Sequence, residues 1–204
     1  MNSFKWFGFG ALLITLVACS KEEPQNSDFK TGDNTTFADD ESLLFMLEEE
    51  KLARDTYRYL DSLYNLNVFG NIASSEQKHM DMVMLLLDER NIEFNLLPEG
   101  DFADTNLQTY YNAFCAKGLL GLNEALHIGA TIEDLDIYDL QHFVNESEDA
   151  VMIDTYLKLI CGSGNHLRAF SSNLNNNGLS YEAQFLSQAE VDSILAGSHE
   201  HCGP

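Results

Sequence analysis

Glu76 and His79 form the pattern Glu-x-x-His within the segment FGNIASSEQKHMD. In a helix of about 3.6 residues per turn, side chains three positions apart lie on the same face on successive turns. A carboxylate oxygen and an imidazole nitrogen in this arrangement can both bind one divalent metal ion. A single Glu-x-x-His arises often by chance, so its meaning depends on the other helices.

Three other apolar segments with helical spacing also carry ionisable side chains on the face that should be buried. Glu50 and Glu133 lie at the centres of their apolar stripes, and His166 lies within a third. Burying an unpaired carboxylate is costly, and the chain has only 11 Lys and Arg against 33 Asp and Glu. Arg54 and Arg168 are the nearest bases, toward the edges of their faces. Because a shared cation would offset the cost for the whole cluster, we predict a metal centre with the ligands Glu50, Glu76, His79, Glu133, Asp136 and His166.

Each of these residues also has a simpler interpretation when taken alone. Glu50 and Glu133 could be exposed charges beside an apolar stripe, and either histidine could be hydrogen-bonded in an ordinary core. Asp136, one turn after Glu133, is suited equally to a ligand and to a supporting role.

The ligand types narrow the choice of metal. Carboxylate oxygens with imidazoles and no thiolate suit iron or manganese, with zinc as a further option. Carboxylate-bridged pairs of ions in four-helix bundles use this kind of ligand set, which favours two iron ions with Glu76 and Glu133 as bridges.

The segment CGSGNHLRAF contains His166 and two glycines inside a predicted helix. Glycine in a helix interior lowers helix stability by about 1 kcal/mol relative to alanine. Gly162 therefore indicates that a neighbouring group needs the space that a side chain would fill. Ser163 stands three residues before His166, where a glutamate would complete a second Glu-x-x-His. We expect these small residues to leave room at the metals for solvent or an oxidant, or to weaken one of two metal positions.

The spacing of apolar residues predicts an all-α domain over 39–197. Prolines occur only at 24, 98 and 204, and no run alternates as a strand does. Ser187 and Glu190 form a capping-box pattern before the last helix. The expected fold is a four-helix bundle with a short helix inserted after the second long one and a short C-terminal helix. The predicted helices are 39–64, 69–91, 105–117, 122–145, 149–176 and 187–196.

The N-terminus has the pattern of an export signal. The apolar run in MNSFKWFGFGALLITLVAC is too short to span a bilayer comfortably. Leu16-Val17-Ala18-Cys19 resembles a bacterial lipobox, which predicts a signal peptide over 1–18 and a lipidated Cys19; an ordinary cleaved signal is the alternative. Polar residues 19–38 are expected to be a flexible tether. The expected location is the bacterial cell envelope, on the outer membrane, facing the periplasm or the surface.

The remaining composition excludes some partners and leaves others open. A net charge of −22 argues against nucleic-acid binding, which requires basic side chains. Cys115, Cys161 and Cys202 have no metal-type spacing; Cys115 and Cys161 could form a disulfide or remain buried thiols. Residues 198–204 are expected to be a disordered tail.

Four segments together resemble a bacterial and archaeal ferritin-like family of unknown function: EEEKLARDTY, FGNIASSEQKHMD, GATIEDLDIYDL and GNHLRAF. The resemblance covers about 39–196. More distantly, the pattern is similar to rubrerythrin-type di-iron proteins. Their first helix carries Glu, Ala and Tyr at the spacing of Glu50, Ala53 and Tyr57, and their third carries two carboxylates three residues apart. Their fourth helix usually supplies Glu-x-x-His, from which Ser163 departs. The resemblance implies a ferritin-like fold and metal binding.

These observations lead to three hypotheses about function. The first is a lipid-anchored di-metal protein, with iron most favoured, that reacts with O2 or H2O2 as an oxidase, peroxidase or ferroxidase. The second is a metal-sequestering module without turnover, and the third is a structural domain that has lost its metal. The membrane is expected to be a partner only through the lipid anchor, and a homo-oligomer is compatible with the sequence.

Overall fold

The structure is a computed structural model that describes residues 39–202 of the 204-residue chain. Regular structure within this range is entirely helical, with six helices and no strand, as the sequence predicts. The predicted signal peptide, Cys19 and the tether lie outside the described residues. The helices are α1 (Asp39–Tyr64), α2 (Asn67–Glu89), α3 (Thr105–Gly118), α4 (Leu122–Glu146), α5 (Ala150–Asn176) and α6 (Gln188–Ala196).

Side-chain caps fix the starts of three helices. Asp104 and Asp149 each accept two backbone N–H groups at the starts of α3 and α5. The predicted capping box of Ser187 and Glu190 at the start of α6 is confirmed. Helix α2 begins two residues earlier than predicted because Asn65, in the left-handed region with φ of 47°, reverses the chain in a tight turn.

The long helices pack as two pairs. Helix α1 lies along α2, and α4 lies along α5. Contacts of α1 with α4 and of α2 with α5 join the pairs into a bundle-like arrangement, while α3 packs on α1 and α4 and α6 packs on α5. The apolar interior has two clusters, one around Tyr57, Phe69 and Phe170 and the other around Met46 and Met80. Along α1, α2 and α5, the polar residues singled out by the sequence lie between these clusters.

A buried ion pair anchors the connection between α2 and α3 onto α1. Lys51 is almost fully buried and donates to Asp55 Oδ2 at 2.7 Å and to the carbonyl oxygens of Pro98 and Asp101. The same Asp55 oxygen accepts the Gly100 N–H, and Arg54 donates to the other oxygen. Such a pair can be buried because nearly every donor and acceptor is matched.

A second buried carboxylate holds the segment before α6. Asp134 on α4 accepts the Tyr181 hydroxyl and the backbone N–H groups of Gln184, Phe185 and Leu186. Four donors on one carboxylate satisfy it without a counter-ion. Sequence reasoning did not identify this role, because Asp134 follows Glu133 and its partners are about 50 residues away in the chain.

The structure contains a disulfide that the sequence analysis did not consider. Cys161 is joined to Cys202 and Cys115 on α3 is free, so of the two alternatives for Cys115 and Cys161, a disulfide between them is not formed and only Cys115 remains a thiol. The reason is that α3 packs chiefly on α1 and α4 rather than on α5. Asn165 also exchanges two hydrogen bonds with the Glu200 backbone. Residues 200–202 are thus tied to α5, where the sequence led us to expect a disordered tail.

None of the helices in the described range is both long enough and apolar enough to cross a membrane.

Candidate metal centre

All six predicted ligands are buried in one layer of the bundle. Helix α1 contributes Glu50, α2 contributes Glu76 and His79, α4 contributes Glu133 and Asp136, and α5 contributes His166. Potential ligand atoms of Glu76, His79 and His166 lie within 4.8 Å of one another, close enough to hold one metal ion together.

Glu76 is central because each of its oxygens faces a different imidazole. Its Oε2 lies 2.7 Å from His79 Nδ1, and its Oε1 lies 2.8 Å from His166 Nδ1. Each imidazole nitrogen also faces a second carboxylate: Glu50 Oε2 is 3.1 Å from His79 Nδ1, and Glu133 Oε2 is 3.3 Å from His166 Nδ1. The layer therefore has two halves, each with one imidazole and one carboxylate, and Glu76 belongs to both.

Several of these atoms are buried without a hydrogen-bond partner in the part of the chain that the structure describes. They are both oxygens of Glu76, His166 Nδ1, Glu50 Oε1 and Asp136 Oδ1. The contacts of Glu76 with the imidazoles are short but lack hydrogen-bond geometry, so the atoms converge on a shared space. A buried polar atom without a partner costs about 1–3 kcal/mol. A cation in that space would satisfy several of them at once, so the donor set fits a metal ion.

Burial and the charges of neighbouring side chains shift the pKa values of the carboxyl and imidazole groups in this layer. Burial raises the pKa of Glu50 to about 7 and that of Glu133 to about 7. Burial acts in the same direction on Glu76, but the charges of His166 and His79 outweigh it and lower its pKa. For His166, burial opposes the positive charge, yet Glu76 and Glu133 raise the pKa to about 10.

The two arginines nearest in sequence do not neutralise these carboxylates. Arg54 donates to Asp55 and Gln77, and Arg168 donates to the Ile194 carbonyl and to Asn165. The two imidazoles are therefore the main source of positive charge among the contacts of the layer.

Neighbouring side chains orient the candidate ligands. The Tyr57 hydroxyl donates to Glu133 Oε1, and the Ser163 hydroxyl donates to Asp136 Oδ2. His166 Nε2 lies 3.0 Å from Ser75 Oγ, which leaves its Nδ1 facing the layer. Partners of this kind fix the direction and protonation of metal ligands. The spacing of Glu50, Ala53 and Tyr57 had drawn attention to Tyr57, whereas nothing in the sequence pattern marked Ser75.

The two small residues of CGSGNHLRAF have specific neighbours. A Cβ atom on Gly162 would lie 2.5 Å from His79 Nε2, so the absence of a side chain makes room for that imidazole. The Ser163 hydroxyl lies against two acceptors, Asp136 Oδ2 and the carbonyl oxygen of Leu159. The space that Gly162 provides is therefore taken by the His79 imidazole, and Ser163 contacts the Asp136 carboxylate.

We predict that Gly162→Ala weakens metal binding by at least tenfold, because the added methyl displaces the His79 imidazole and with it Nδ1. Competition with a chelator of known affinity measures the effect. The matched control is Gly164→Ala in the same helix, where the new Cβ would lie 3.8 Å from its nearest neighbours. Equal affinity of the two variants would show that Gly162 does not set the position of His79.

Metal binding should release protons and should strengthen as pH rises. His166, with a pKa raised to about 10, holds a proton at pH 7, and His79 also has a raised pKa. Both nitrogens must lose their protons to bind a metal, and Glu50 and Glu133, whose pKa values are about 7, must lose the protons that they hold in part at that pH, so roughly three protons should leave per filled centre at pH 7. Because these protons compete with the metal below their pKa, affinity should increase between pH 6 and pH 9. A pH indicator in weakly buffered solution counts the protons; a count near zero would contradict the assignment of both imidazoles.

Comparison with known proteins places these residues in a family. A family model described as an uncharacterized protein domain, DUF2202, matches residues 39–198. The uncharacterized protein MJ0754 of Methanocaldococcus jannaschii is 42% identical over 162 residues, which span 78% of this chain and 88% of that protein. The crystal structure of the hypothetical protein MJ0754 matches with a TM-score of 0.78, at 42% identity, over 79% of this chain and 93% of that one. The chain therefore belongs to the DUF2202 family.

Proposed function

We propose that this protein is a ferritin-like di-metal carboxylate protein that binds iron most readily and reacts with O2 or H2O2. The observation that carries the proposal is the position of Glu76, which presents one oxygen to each of two imidazoles. In a bridged pair of metal ions, each oxygen of one carboxylate binds a different ion, and the two contacts of Glu76 match that arrangement; the same three residues would surround one ion if a single ion is bound. Bundles of four helices that hold such pairs also take their ligands from all four helices.

The two halves of the layer define the ligands of each ion. Glu50 and His79 would hold one ion, Glu133 and His166 would hold the other, and Glu76 would contact both. Oxygen and imidazole nitrogen without sulfur suit iron or manganese, and zinc is also compatible. Bound iron would supply the one-electron chemistry needed to reduce dioxygen or peroxide.

The side chains around the layer set the conditions for such chemistry. The apolar clusters on either side exclude bulk water, which strengthens electrostatic contacts inside. The Tyr57 hydroxyl holds a proton against Glu133 Oε1 and fixes that carboxylate. His166 is the most exposed of the six, at 8%, and its Nε2 lies 3.0 Å from Ser75 Oγ, so the side of the layer between α2 and α5 is the one nearest to solvent.

We predict that protein refolded with ferrous iron without oxygen holds about two iron ions per chain and changes its optical spectrum on exposure to air or peroxide. Glu76→Gln should lose most of the iron, since the substitution removes the carboxylate shared by both halves. Glu89→Gln is the control, because Glu89 is an exposed glutamate on the same helix and the change in charge is identical.

The result also separates the competing functions. Iron bound tightly without consumption of O2 or peroxide would favour a sequestering module. Iron content no higher than trace, together with a thermal stability that a chelator does not change, would favour a structural domain. A metal ion that binds the folded protein, at a free concentration of a hundred times its dissociation constant, adds about 2.7 kcal/mol to the free energy of unfolding, and a chelator would remove that contribution.

We also infer that the protein is exported and anchored by a lipid on Cys19, with residues 1–18 as the signal peptide and 19–38 as the tether. The disulfide between Cys161 and Cys202 supports export, because disulfides persist mainly in oxidising compartments outside the cytosol. The favoured location is the outer membrane of a bacterial envelope.

Cys19→Ala should move the protein from the membrane fraction to the soluble fraction and abolish incorporation of radiolabelled palmitate, since the substitution removes the thiol that would carry the lipid. Retention in the membrane without the label would contradict lipid anchoring.

A further inference from the structure

A cleft lies between the N-terminal part of α1 and the connection that joins α2 to α3. Its volume is about 450 Å³, which is within the range of small-molecule sites in proteins. None of the six predicted metal ligands lines it. The cleft is therefore a feature of the surface that is separate from the metal centre.

Much of the lining is apolar. The apolar side chains contributed by the two walls are Leu44, Phe45, Leu47, Phe94 and Leu96. Leu47 is buried, and the other four are half-buried and pack against the second of the two apolar clusters. A ligand in the cleft would cover apolar surface that water otherwise contacts, which favours binding of an apolar group.

The connection that forms one wall is fixed at both ends. At one end, Asn91 has a φ of 58° and the Ile92 N–H bonds back to the last turn of α2. At the other end, the Glu48 carboxylate accepts the N–H groups of Ala103 and Asp104 at 2.9 and 2.8 Å. The cleft is thus held open by the fold itself, as ligand sites commonly are.

The lining also carries negative charge that no base in it balances. Its ionisable residues are Glu41, Glu48, Glu93 and Asp104, and it contains no Lys, Arg or His. Glu48 and Asp104 accept backbone N–H groups. Glu41 and Glu93 are exposed, and neither forms an ion pair with a base in the part of the chain that the structure describes. An apolar cleft with two such carboxylates is complementary to a ligand that is both apolar and positively charged.

We propose that this cleft binds a small organic cation, with its apolar body against Leu44, Phe94 and Leu96 and its ammonium group toward Glu41 and Glu93. Aromatic side chains such as Phe94 attract organic cations as well as apolar groups. An anion of the same shape meets like charge and is rejected. Binding in the cleft goes beyond the proposed function and does not depend on it.

Two probes of similar shape and opposite charge test the site. Isothermal titration calorimetry with the full chain should show that 4-phenylbutylamine, protonated at neutral pH, binds at least tenfold more tightly than 4-phenylbutyrate. Glu41→Gln combined with Glu93→Gln should weaken binding of the amine at least tenfold. Both residues are exposed, so the double variant should fold.

The control is Glu182→Gln combined with Asp192→Asn, which makes the same change in net charge at exposed residues outside the cleft. It should leave the affinity for the amine unchanged. Equal affinities for the two probes, or an equal loss of affinity in the control, would overturn the proposal.

A second measurement locates the bound amine in the unsubstituted protein. Amide chemical shifts in NMR spectra should change mainly at Phe94, Asn95, Leu96 and Ala103, which line the cleft. Propylamine, which lacks the ring, should bind at least tenfold more weakly. Shift changes confined to other parts of the chain, or equal binding of propylamine, would overturn the site.

Discussion

The Glu76 carboxylate, placed between His79 and His166, is the contact on which the arrangement of the polar layer depends. Both imidazoles direct Nδ1 toward it, one from its own helix and one from α5. The remaining constraints follow from this geometry. Gly162 lacks a side chain because the far edge of the His79 ring lies against it. Ser75 contacts Nε2 of His166 because Nδ1 is committed to the layer.

The layer carries more negative than positive charge, and this imbalance explains its titration. Burial raises the pKa of Glu50 and Glu133 to about 7, while the carboxylates raise the pKa of His166 to about 10. Without a metal, protons supply the charge compensation that a divalent cation would otherwise supply. A cation and these protons therefore compete for the same place, which links the affinity of the centre to its acid–base chemistry.

The sequence predicted the helices and the membership of the polar layer because both depend on local periodicity. Helical spacing determines which side of α1 or α5 faces inward, so Glu50 and His166 could be assigned without knowing their partners. The partners themselves depend on how helices pack. The pairing of Cys161 with Cys202, the contact of Gly162 with His79 and the donors on Asp134 all join residues distant in the chain. No local pattern encodes them, and the cysteine pairing could not be assigned from the sequence for this reason.

Ser163 departs from the repeated Glu-x-x-His pattern, and a carboxylate of a neighbouring helix lies against it. A glutamate there would have placed a carboxylate on α5, one turn before His166. Instead, Asp136 on α4 occupies the space beside residue 163, and the serine hydroxyl donates to its Oδ2. The second oxygen of Asp136 has no partner among the described residues and lies near the charges of Glu50 and Glu133. At this point of the layer the carboxylate therefore comes from α4, and α5 contributes the hydroxyl that orients it.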